Sequence, residues 1–264
     1  MRGKNFRIEF SRGDEMRRRS LLRREDSAKP NPKGDGEVCV RELKGGGDFR
    51  SAECIDILKD SDIVVTNPPF SLFCEYIEQL AKYKKKFLII GNVNSLTYKE
   101  VFPLIKGNEL WLGASIHSGD RKFGVPADYP LNATSCGVDE NGQRFIRVKG
   151  VRWFTNLDYP QRHEKLPLYK KYSPEEFPKY DNYDAIEVAK TSDIPYDYDG
   201  VMGVPITFMD KYNPEQFELI GCSDNGAVAD QYKLPHFKRH NEPYINGKKM
   251  YKRIFIRRRK EEGK

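Results

Sequence analysis

The sequence predicts a doubly wound α/β sheet between residues 37 and 113, followed by a region rich in hairpins and loops. Short β-branched runs such as Asp62–Thr66 alternate with stretches whose apolar residues recur at helical spacing, and the connections between them are short. This alternation is typical of a sheet covered by helices. After residue 113 the alternation ends, and Asn-Gly pairs between extended stretches predict hairpins instead.

Seven elements are predicted in the sheet region: strands at 38–40, 62–66, 86–90 and 109–112, and helices at 51–58, 71–83 and 97–105. Ser51 is a predicted N-cap because its hydroxyl can accept a hydrogen bond from a free backbone N–H of the first turn. The helix at 71–83 is amphipathic, since its apolar residues recur every three or four positions. The strands at 62–66 and 86–90 are expected to be buried, because they are dominated by apolar and β-branched residues.

The rest of the chain is predicted to form hairpins and a long surface connection at 158–184. Asn141-Gly142 and Asn246-Gly247 each lie between extended stretches, and Asn-Gly is a strong signal for a two-residue hairpin turn. The extended stretches expected to form antiparallel strands are 145–148, 151–154, 244–245 and 250–256.

Charge is distributed unevenly along the chain. The 264 residues contain 46 Lys and Arg against 39 Asp and Glu, which gives a net charge of +7. Residues 1–25 hold nine basic and four acidic residues, and residues 248–264 hold nine basic and two acidic ones, so the body between them is mildly acidic. Basic ends can steer and hold a polyanion such as nucleic acid. They can equally be solvated tails without a specific role.

Composition excludes several classes of protein. Hydrophobic residues make up 38% and aromatic residues 12% of the chain, which argues against a disordered chain. No apolar run reaches the ~20 residues that span a bilayer, and the basic N-terminus lacks the apolar stretch of a secretory signal. The five cysteines form no Cys-x-x-Cys pair and the four histidines are not clustered. We therefore expect a cytoplasmic protein without disulfides, a metal site or a membrane anchor.

The most informative motif is Asn67-Pro68-Pro69-Phe70, which directly follows one predicted strand and directly precedes a predicted helix. Ligands of open α/β sheets bind at this carboxyl end of the strands. Both prolines have a fixed φ and lack an N–H, and each residue before a proline is held extended. The loop is therefore stiff, and it offers the Asn67 side-chain oxygen and the Pro68 carbonyl as acceptors.

Two acceptors beside an aromatic face suit an exocyclic amine, which offers two N–H donors on a planar ring. Adenine N6 is a poor nucleophile because its lone pair is delocalised into the ring. Acceptors that hold its hydrogens favour the pyramidal nitrogen that forms during methyl transfer, which stabilises the transition state. The competing interpretation is a rigid strand-to-helix turn with Phe70 as a core residue.

Longer blocks of sequence carry a resemblance to a known family. From about residue 43 to residue 257 the chain closely resembles the EcoRI-type adenine-specific DNA methyltransferases. The blocks that carry this resemblance are 44–51, 62–73, 85–106, 150–158, 179–188 and 200–221.

The resemblance implies a Rossmann-like methyltransferase sheet, S-adenosylmethionine as methyl donor and adenine N6 in double-stranded DNA as acceptor. Asn67, Pro68, Pro69 and Phe70 match the catalytic motif. Asp48 and Phe49 match the place where related enzymes bind the adenine of the cofactor. The implied partner besides DNA is a cognate restriction endonuclease acting on the same site without a stable complex, and the enzyme is expected to be a monomer.

Three regions are expected on this basis: a basic, flexible segment at 1–36, the catalytic core at 37–160, and a target-recognition region at 161–264. Related enzymes open the cofactor domain with a strand, a glycine-rich turn and an acidic residue. We do not find that unit in residues 1–36, so the N-terminus is expected to be truncated or diverged.

DNA contacts are expected in the basic run Arg257, Arg258, Arg259 and Lys260, which could meet phosphates. The irregular segment 232–240 is a second candidate for reading DNA. Two other functions remain open. One is an amino-methyltransferase that acts on RNA or on protein glutamine, and the other is a catalytically inactive remnant that binds DNA.

Overall fold

A computed structural model describes residues 7–11, 20–23, 38–43, 47–117, 120–132, 135–223 and 242–260. The chain divides into two compact units. The first comprises Met1–Thr66 and Glu75–Phe87, and the second comprises Asn67–Cys74 and Leu88–Lys264. Strands outnumber helices in the described residues, so the protein is a mixed α/β protein with several sheets and few helices.

In chain order the strands of the described residues are β1 Arg7–Ser11, β2 Ser20–Arg23, β3 Val38–Glu42, β4 Ile63–Thr66, β5 Lys86–Asn92, β6 Trp111–Leu112, β7 Arg121–Gly124, β8 Cys136–Val138, β9 Arg144–Val148, β10 Val151–Thr155, β11 Ile186–Glu187, β12 Met202–Pro205, β13 Phe217–Cys222, β14 Tyr244–Ile245, β15 Lys248–Lys249 and β16 Arg253–Arg258. The α-helices are α1 Ala52–Asp60, α2 Phe73–Lys82 and α3 Phe102–Lys106.

The first unit contains an antiparallel sheet of order β2-β1-β3, the helix α1, the strand β4 and most of α2. Two of these strands lie within the segment 1–36, whose flexibility stays a prediction. The predicted N-cap of α1 is confirmed, because the Ser51 hydroxyl accepts a hydrogen bond from Cys54 N at 3.2 Å. Ile77 and Leu80 are fully buried along one face of α2, as its predicted amphipathic pattern requires.

The strand β4 forms where it was predicted, but the expectation that it is buried is wrong. Ile63 is 45% and Val65 is 64% exposed. The physical reason is that Ile63 and Val65 alternate along β4 and so lie on one face of the strand, and that face is left uncovered. In the next strand, β5, the exposed Lys86 is followed by alternating buried and half-buried residues, with Phe87 and Ile89 in the core.

In the second unit β5, β10 and β6 are neighbours in that order, and β10 runs antiparallel to both. Arg152 faces Gly91 across the first pair, and Phe154 faces Leu112 across the second. The stretches 145–148 and 151–154 are both strands, as predicted, but they lie in different sheets. The Gly150 turn, with φ of 69°, ends β9 and directs β10 between β5 and β6.

The third sheet has the order β11-β12-β16-β13, and its central strand β16 is antiparallel to both neighbours. Beside it, Asn246-Gly247 forms the predicted hairpin turn, with positive φ angles at both residues. The stretch 250–256 is a strand only from Arg253 onward, where it belongs to β16 and pairs with β12 and β13 rather than with Tyr244–Ile245. The second strand of the hairpin is β15.

The fourth sheet has the order β7-β9-β8, and a hairpin forms at Asn141-Gly142 as predicted. Its connection is longer than two residues, because Val138 faces Arg144, and only Gly142 has a positive φ. Asp139 fixes the turn, since its Oδ1 accepts from Asn141 N at 3.0 Å and from Gln143 N at 2.8 Å. None of the three strands contains a fully buried residue.

Two further searches cover only the described residues. None of the described helices has the length and apolar character needed to cross a membrane. Within the same residues, His, Cys, Asp and Glu side chains form no group of three or more that could hold a metal ion.

Candidate functional site

The Asn-Pro-Pro-Phe loop begins directly after β4, in the strand–turn–helix context that the sequence predicts. Asn67 is exposed, Pro68 is buried, and Phe70 keeps 38% of its surface exposed. Within the described residues, neither the Asn67 side-chain amide nor the Pro68 carbonyl has a hydrogen-bond partner. Both oxygens therefore retain their acceptor capacity, Asn67 on the surface and Pro68 in a buried position. The exposure of Phe70 argues against its interpretation as a core residue.

The far end of the loop is fixed by local hydrogen bonds and by one buried ring. The Pro69 carbonyl accepts from Leu72 N at 2.9 Å, which starts a short 3-10 turn that leads into α2. Phe73 is buried, and its ring lies edge-on to Phe154 at a centroid distance of 4.9 Å. A Cβ on Gly91 would lie only 2.4 Å from Phe73 Cε2, so a glycine at this position of β5 makes room for the ring.

These features make the loop a rigid platform. The prolines hold the backbone extended, and Phe73 anchors its C-terminal end in the core. The loop therefore presents two acceptor oxygens and one aromatic ring without the entropy cost of ordering a flexible segment. Such an arrangement can hold an NH₂ group and the planar ring that carries it.

The second predicted position, Asp48-Phe49, lies in the first unit before α1. The Asp48 carboxylate binds Arg50 closely: Oδ1 accepts from the backbone N–H at 2.8 Å and from Nε at 3.0 Å, and Oδ2 accepts from Nη2 at 2.7 Å. The hydrogen bonds from Arg50 lower the pKa of Asp48 to about 2, so the carboxylate is ionised at neutral pH. Arg50 also pairs with Glu75 at 3.0 Å.

Phe49 is held in place by residues of α2. Its ring lies edge-on to Tyr76 at a centroid distance of 5.0 Å, and its carbonyl accepts from Gln79 Nε2 at 2.9 Å. The Arg50 guanidinium lies 5.3 Å from the centre of the Phe49 ring. Burial raises the pKa of Tyr76 to about 12, so its hydroxyl stays neutral.

The chemistry of this position fits an adenine. A carboxylate has about four acceptor positions, and Arg50 takes three of them, which leaves one for an amino group. Phe49 offers a partly exposed ring for a flat base. Asp48 and Phe49 could therefore hold the adenine of S-adenosylmethionine.

Sequence reasoning missed the residues that fix this position. Arg50, Glu75 and Gln79 make the contacts, and only Arg50 is close to Asp48 in sequence. A basic side chain two residues after Asp48 could have predicted the ion pair between Arg50 and Asp48. The partners from α2 were not predictable, because Glu75 lies 25 residues after Arg50 and Gln79 lies 30 residues after Phe49.

The predicted DNA-contacting run lies at the end of β16 and is largely engaged within the second unit. Arg257 lies 3.7 Å from Glu218, Arg259 Nε donates to the Pro214 carbonyl at 2.8 Å, and Lys260 lies 3.6 Å from Asp199. Arg258 is half-buried opposite Phe217. Their role in DNA binding stays a prediction. The segment 232–240 lies outside the described residues.

Comparisons with known proteins point to one family. The chain matches the family described as adenine-specific methyltransferase EcoRI over residues 8–259. It is 57% identical over 207 residues to Type II methyltransferase M.EcoRI of Escherichia coli, which is 76% of this chain and 64% of that protein. The chain thus spans less than two thirds of that relative.

Two mycoplasma proteins are also similar. Type II methyltransferase M.MpnI of Mycoplasma pneumoniae is 42% identical over 231 residues, and Type II methyltransferase M.MgeORF184P of Mycoplasma genitalium is 41% identical over 230 residues. Each match covers 84% of this chain and 72% of the relative. No solved structure matches the chain significantly. With a match that covers most of its length, the chain belongs to the family of EcoRI adenine-specific methyltransferases.

Proposed function

We propose that this protein transfers a methyl group from S-adenosylmethionine to N6 of adenine in double-stranded DNA. The observation that carries the proposal is the exposed Asn67 directly after β4, next to a Pro68 carbonyl that has no hydrogen-bond partner within the described residues, in a chain of this family. A Rossmann-like arrangement of the catalytic sheet, action as a monomer and a cognate restriction endonuclease for the same DNA site belong to the same proposal.

The target adenine must leave the duplex before it can reach the loop. Phe70 then stacks on the flipped base, while Asn67 Oδ1 and the Pro68 carbonyl each accept one N–H of the amino group. Both acceptors bind more strongly as the nitrogen becomes pyramidal and positive, so they stabilise the transition state more than the ground state.

The transfer itself needs no metal and no strong base. S-adenosylmethionine supplies a methyl group on a sulfonium sulfur, and Asp48 and Phe49 would hold its adenine. The adenine nitrogen forms its new bond to carbon as the carbon–sulfur bond breaks, and the surplus proton on nitrogen passes to water. Placement of the nitrogen by the rigid loop supplies much of the rate.

The direct test is transfer of label from tritiated S-adenosylmethionine. We expect the label in duplex DNA and, after digestion to nucleosides, in N6-methyladenine. Label on RNA or on a protein glutamine would overturn the substrate. Absence of transfer together with DNA binding would favour the inactive, DNA-binding alternative.

Substitution of the proposed acceptor tests the mechanism. Loss of one preorganised group that stabilises transition-state charge typically costs about 10²- to 10³-fold in rate, and we expect Asn67→Ala to lose at least this much activity. Its stability should not change, because Asn67 is exposed. Asn132→Ala, an exposed asparagine outside the loop, is the matched control and should retain full activity.

A further inference from the structure

The sheet β7-β9-β8 carries two opposed cations on one face. Lys122 and Arg147 are directly opposite each other across the β7–β9 pair, and both are exposed. Like charges in this position repel. In the described part of the chain neither side chain forms an ion pair, so no carboxylate of these residues offsets the repulsion.

Both cations lie near one aromatic ring, that of Phe145. Lys122 Nζ lies 4.6 Å from the centre of the Phe145 ring, and the Arg147 guanidinium lies 5.7 Å from it. Phe145 shares its face with both residues, since it is two positions before Arg147 on β9. The ring attracts both cations electrostatically and so holds them close to one spot.

Glycines flank Phe145 on both neighbouring strands. Gly124 and Gly137 are the residues directly opposite Phe145 on the two flanking strands. A Cβ on Gly137 would lie 3.0 Å from Phe145 Cζ, so the ring lies close over the glycine backbone. A Cβ on Gly124 would lie 2.7 Å from Gln143 Nε2, so both glycines make room for side chains of the sheet itself.

The sheet also lacks a core of its own. Every residue of its three strands is half-buried or exposed, including Phe123, Phe145 and Ile146. Such a sheet gains less stability from apolar burial than a sheet whose strands lie in the core. The acidic residues of the sheet lie in the hairpin turn, where Asp139 is engaged by backbone N–H groups.

We propose that the face formed by Lys122, Phe145 and Arg147 binds backbone phosphates of the duplex DNA substrate. A phosphate supplies the negative charge that the two cations lack, and a guanidinium can bind it through two parallel hydrogen bonds. Phosphate contacts position a duplex without reading its sequence. This inference rests on the proposed function, and it places DNA contacts on β7 and β9, outside the predicted target-recognition region.

The test is the salt dependence of binding to a fluorescently labelled DNA duplex, measured for the wild-type protein and for Lys122→Gln/Arg147→Gln. Each phosphate that a protein neutralises contributes ~0.9 to the slope of log affinity against log salt concentration. We expect the double variant to lose about one to two units of slope and about tenfold in affinity for each lost contact at about 0.1 M salt.

Control variants separate charge from structure. Lys82→Gln/Lys86→Gln removes two exposed charges elsewhere and should leave the slope unchanged. Lys122→Arg/Arg147→Lys keeps both charges and should bind within about twofold of the wild type. If the double Gln variant is unstable, each single Gln variant should still lose about half of the slope difference.

The outcomes distinguish this inference from the proposed function. If the wild-type protein binds DNA and transfers methyl groups but the double Gln variant keeps its slope, this inference alone fails. If the wild-type protein neither binds nor methylates DNA, both fail together. A duplex RNA that binds more tightly than DNA, and that loses the same slope in the variant, would overturn DNA as the occupant of this face.

Discussion

Two sheets of the second unit neutralise their charged side chains in opposite ways. In the buried sheet, β11-β12-β16-β13, most strand residues lie in the core, among them Phe217, Ile254 and Phe255. In the exposed sheet, β7-β9-β8, no strand residue is fully buried. Both sheets nevertheless carry arginine on their central strand, Arg253 in the first and Arg147 in the second.

The difference lies in how each arginine is neutralised. Arg253 Nε donates to both carboxylate oxygens of Glu187, at 3.1 and 3.0 Å, and the Tyr180 hydroxyl donates to the same carboxylate. Burial and the charge of Glu187 raise the pKa of Tyr180 well above its usual range. Charge in the buried sheet is thus satisfied internally and serves the fold, whereas charge on the exposed sheet is left for a partner.

The largest expected effect comes from breaking the internal pair. Glu187→Ala leaves Arg253 buried without its counterion, and removal of one partner of a buried ion pair typically costs about 3–5 kcal/mol. We expect the free energy of unfolding, measured by urea denaturation, to fall by this amount.

The matched control is the exposed pair of the same sheet. Glu218 lies 3.7 Å from Arg257, and both side chains are about two-fifths exposed. Glu218→Ala should therefore cost only about 0–1 kcal/mol. If the two glutamate variants lose equal stability, the distinction between internally satisfied and exposed charge is wrong.

Local features of both regions could be predicted from the sequence. The Asn-Gly turns require positive φ angles that few residues accept, so the dipeptide itself marks the hairpin. The cap at Ser51 and the buried face of α2 follow from hydrogen-bond chemistry and a periodicity of 3.6 residues. The position of the Asn-Pro-Pro-Phe loop after a strand was predictable for the same reason, since it depends on neighbours in sequence.

Features that depend on distant residues were not predictable. The placement of β10 between β5 and β6 is decided by tertiary packing, and its own pattern indicates only a strand. Ile63 and Val65 are exposed because one face of β4 is left uncovered, which composition does not encode. Glu187 and Arg253 are 66 residues apart, so nothing in sequence connects them.

A smaller effect would sharpen the comparison between the two hairpins. Asp181 accepts from Asn246 N at 3.0 Å and from Gly247 N at 2.7 Å, just as Asp139 holds the Asn141-Gly142 turn. A hydrogen bond contributes about 1 kcal/mol, so Asp181→Ala should lower the free energy of unfolding by about 1–2 kcal/mol.

Asp139→Ala removes an equivalent pair of hydrogen bonds from the exposed sheet. Because a region without a core can open locally, we expect faster amide hydrogen exchange around the turn and little change in global unfolding. Hydrogen exchange and urea denaturation of both variants measure the two effects. Equal losses of global stability would show that the exposed sheet unfolds together with the rest of the unit.

The smallest expected effect concerns charges that are exposed but paired. His163 lies between Asp158, at 2.9 Å, and Glu215, at 3.1 Å, and hydrogen bonds to Asp158 and then to Glu215 raise its pKa above 6.5. Since the folded pKa is raised, the stabilisation is complete below pH 6.5 and is lost as the pH rises through the folded pKa. We expect an NMR titration midpoint above 6.5, lowered more by Asp158→Asn than by Glu215→Gln. A midpoint at or below 6.5 in the wild-type protein would contradict this pairing. It would also contradict the view that exposed carboxylates of this unit raise the pKa of a neighbouring histidine while adding little to the free energy of unfolding.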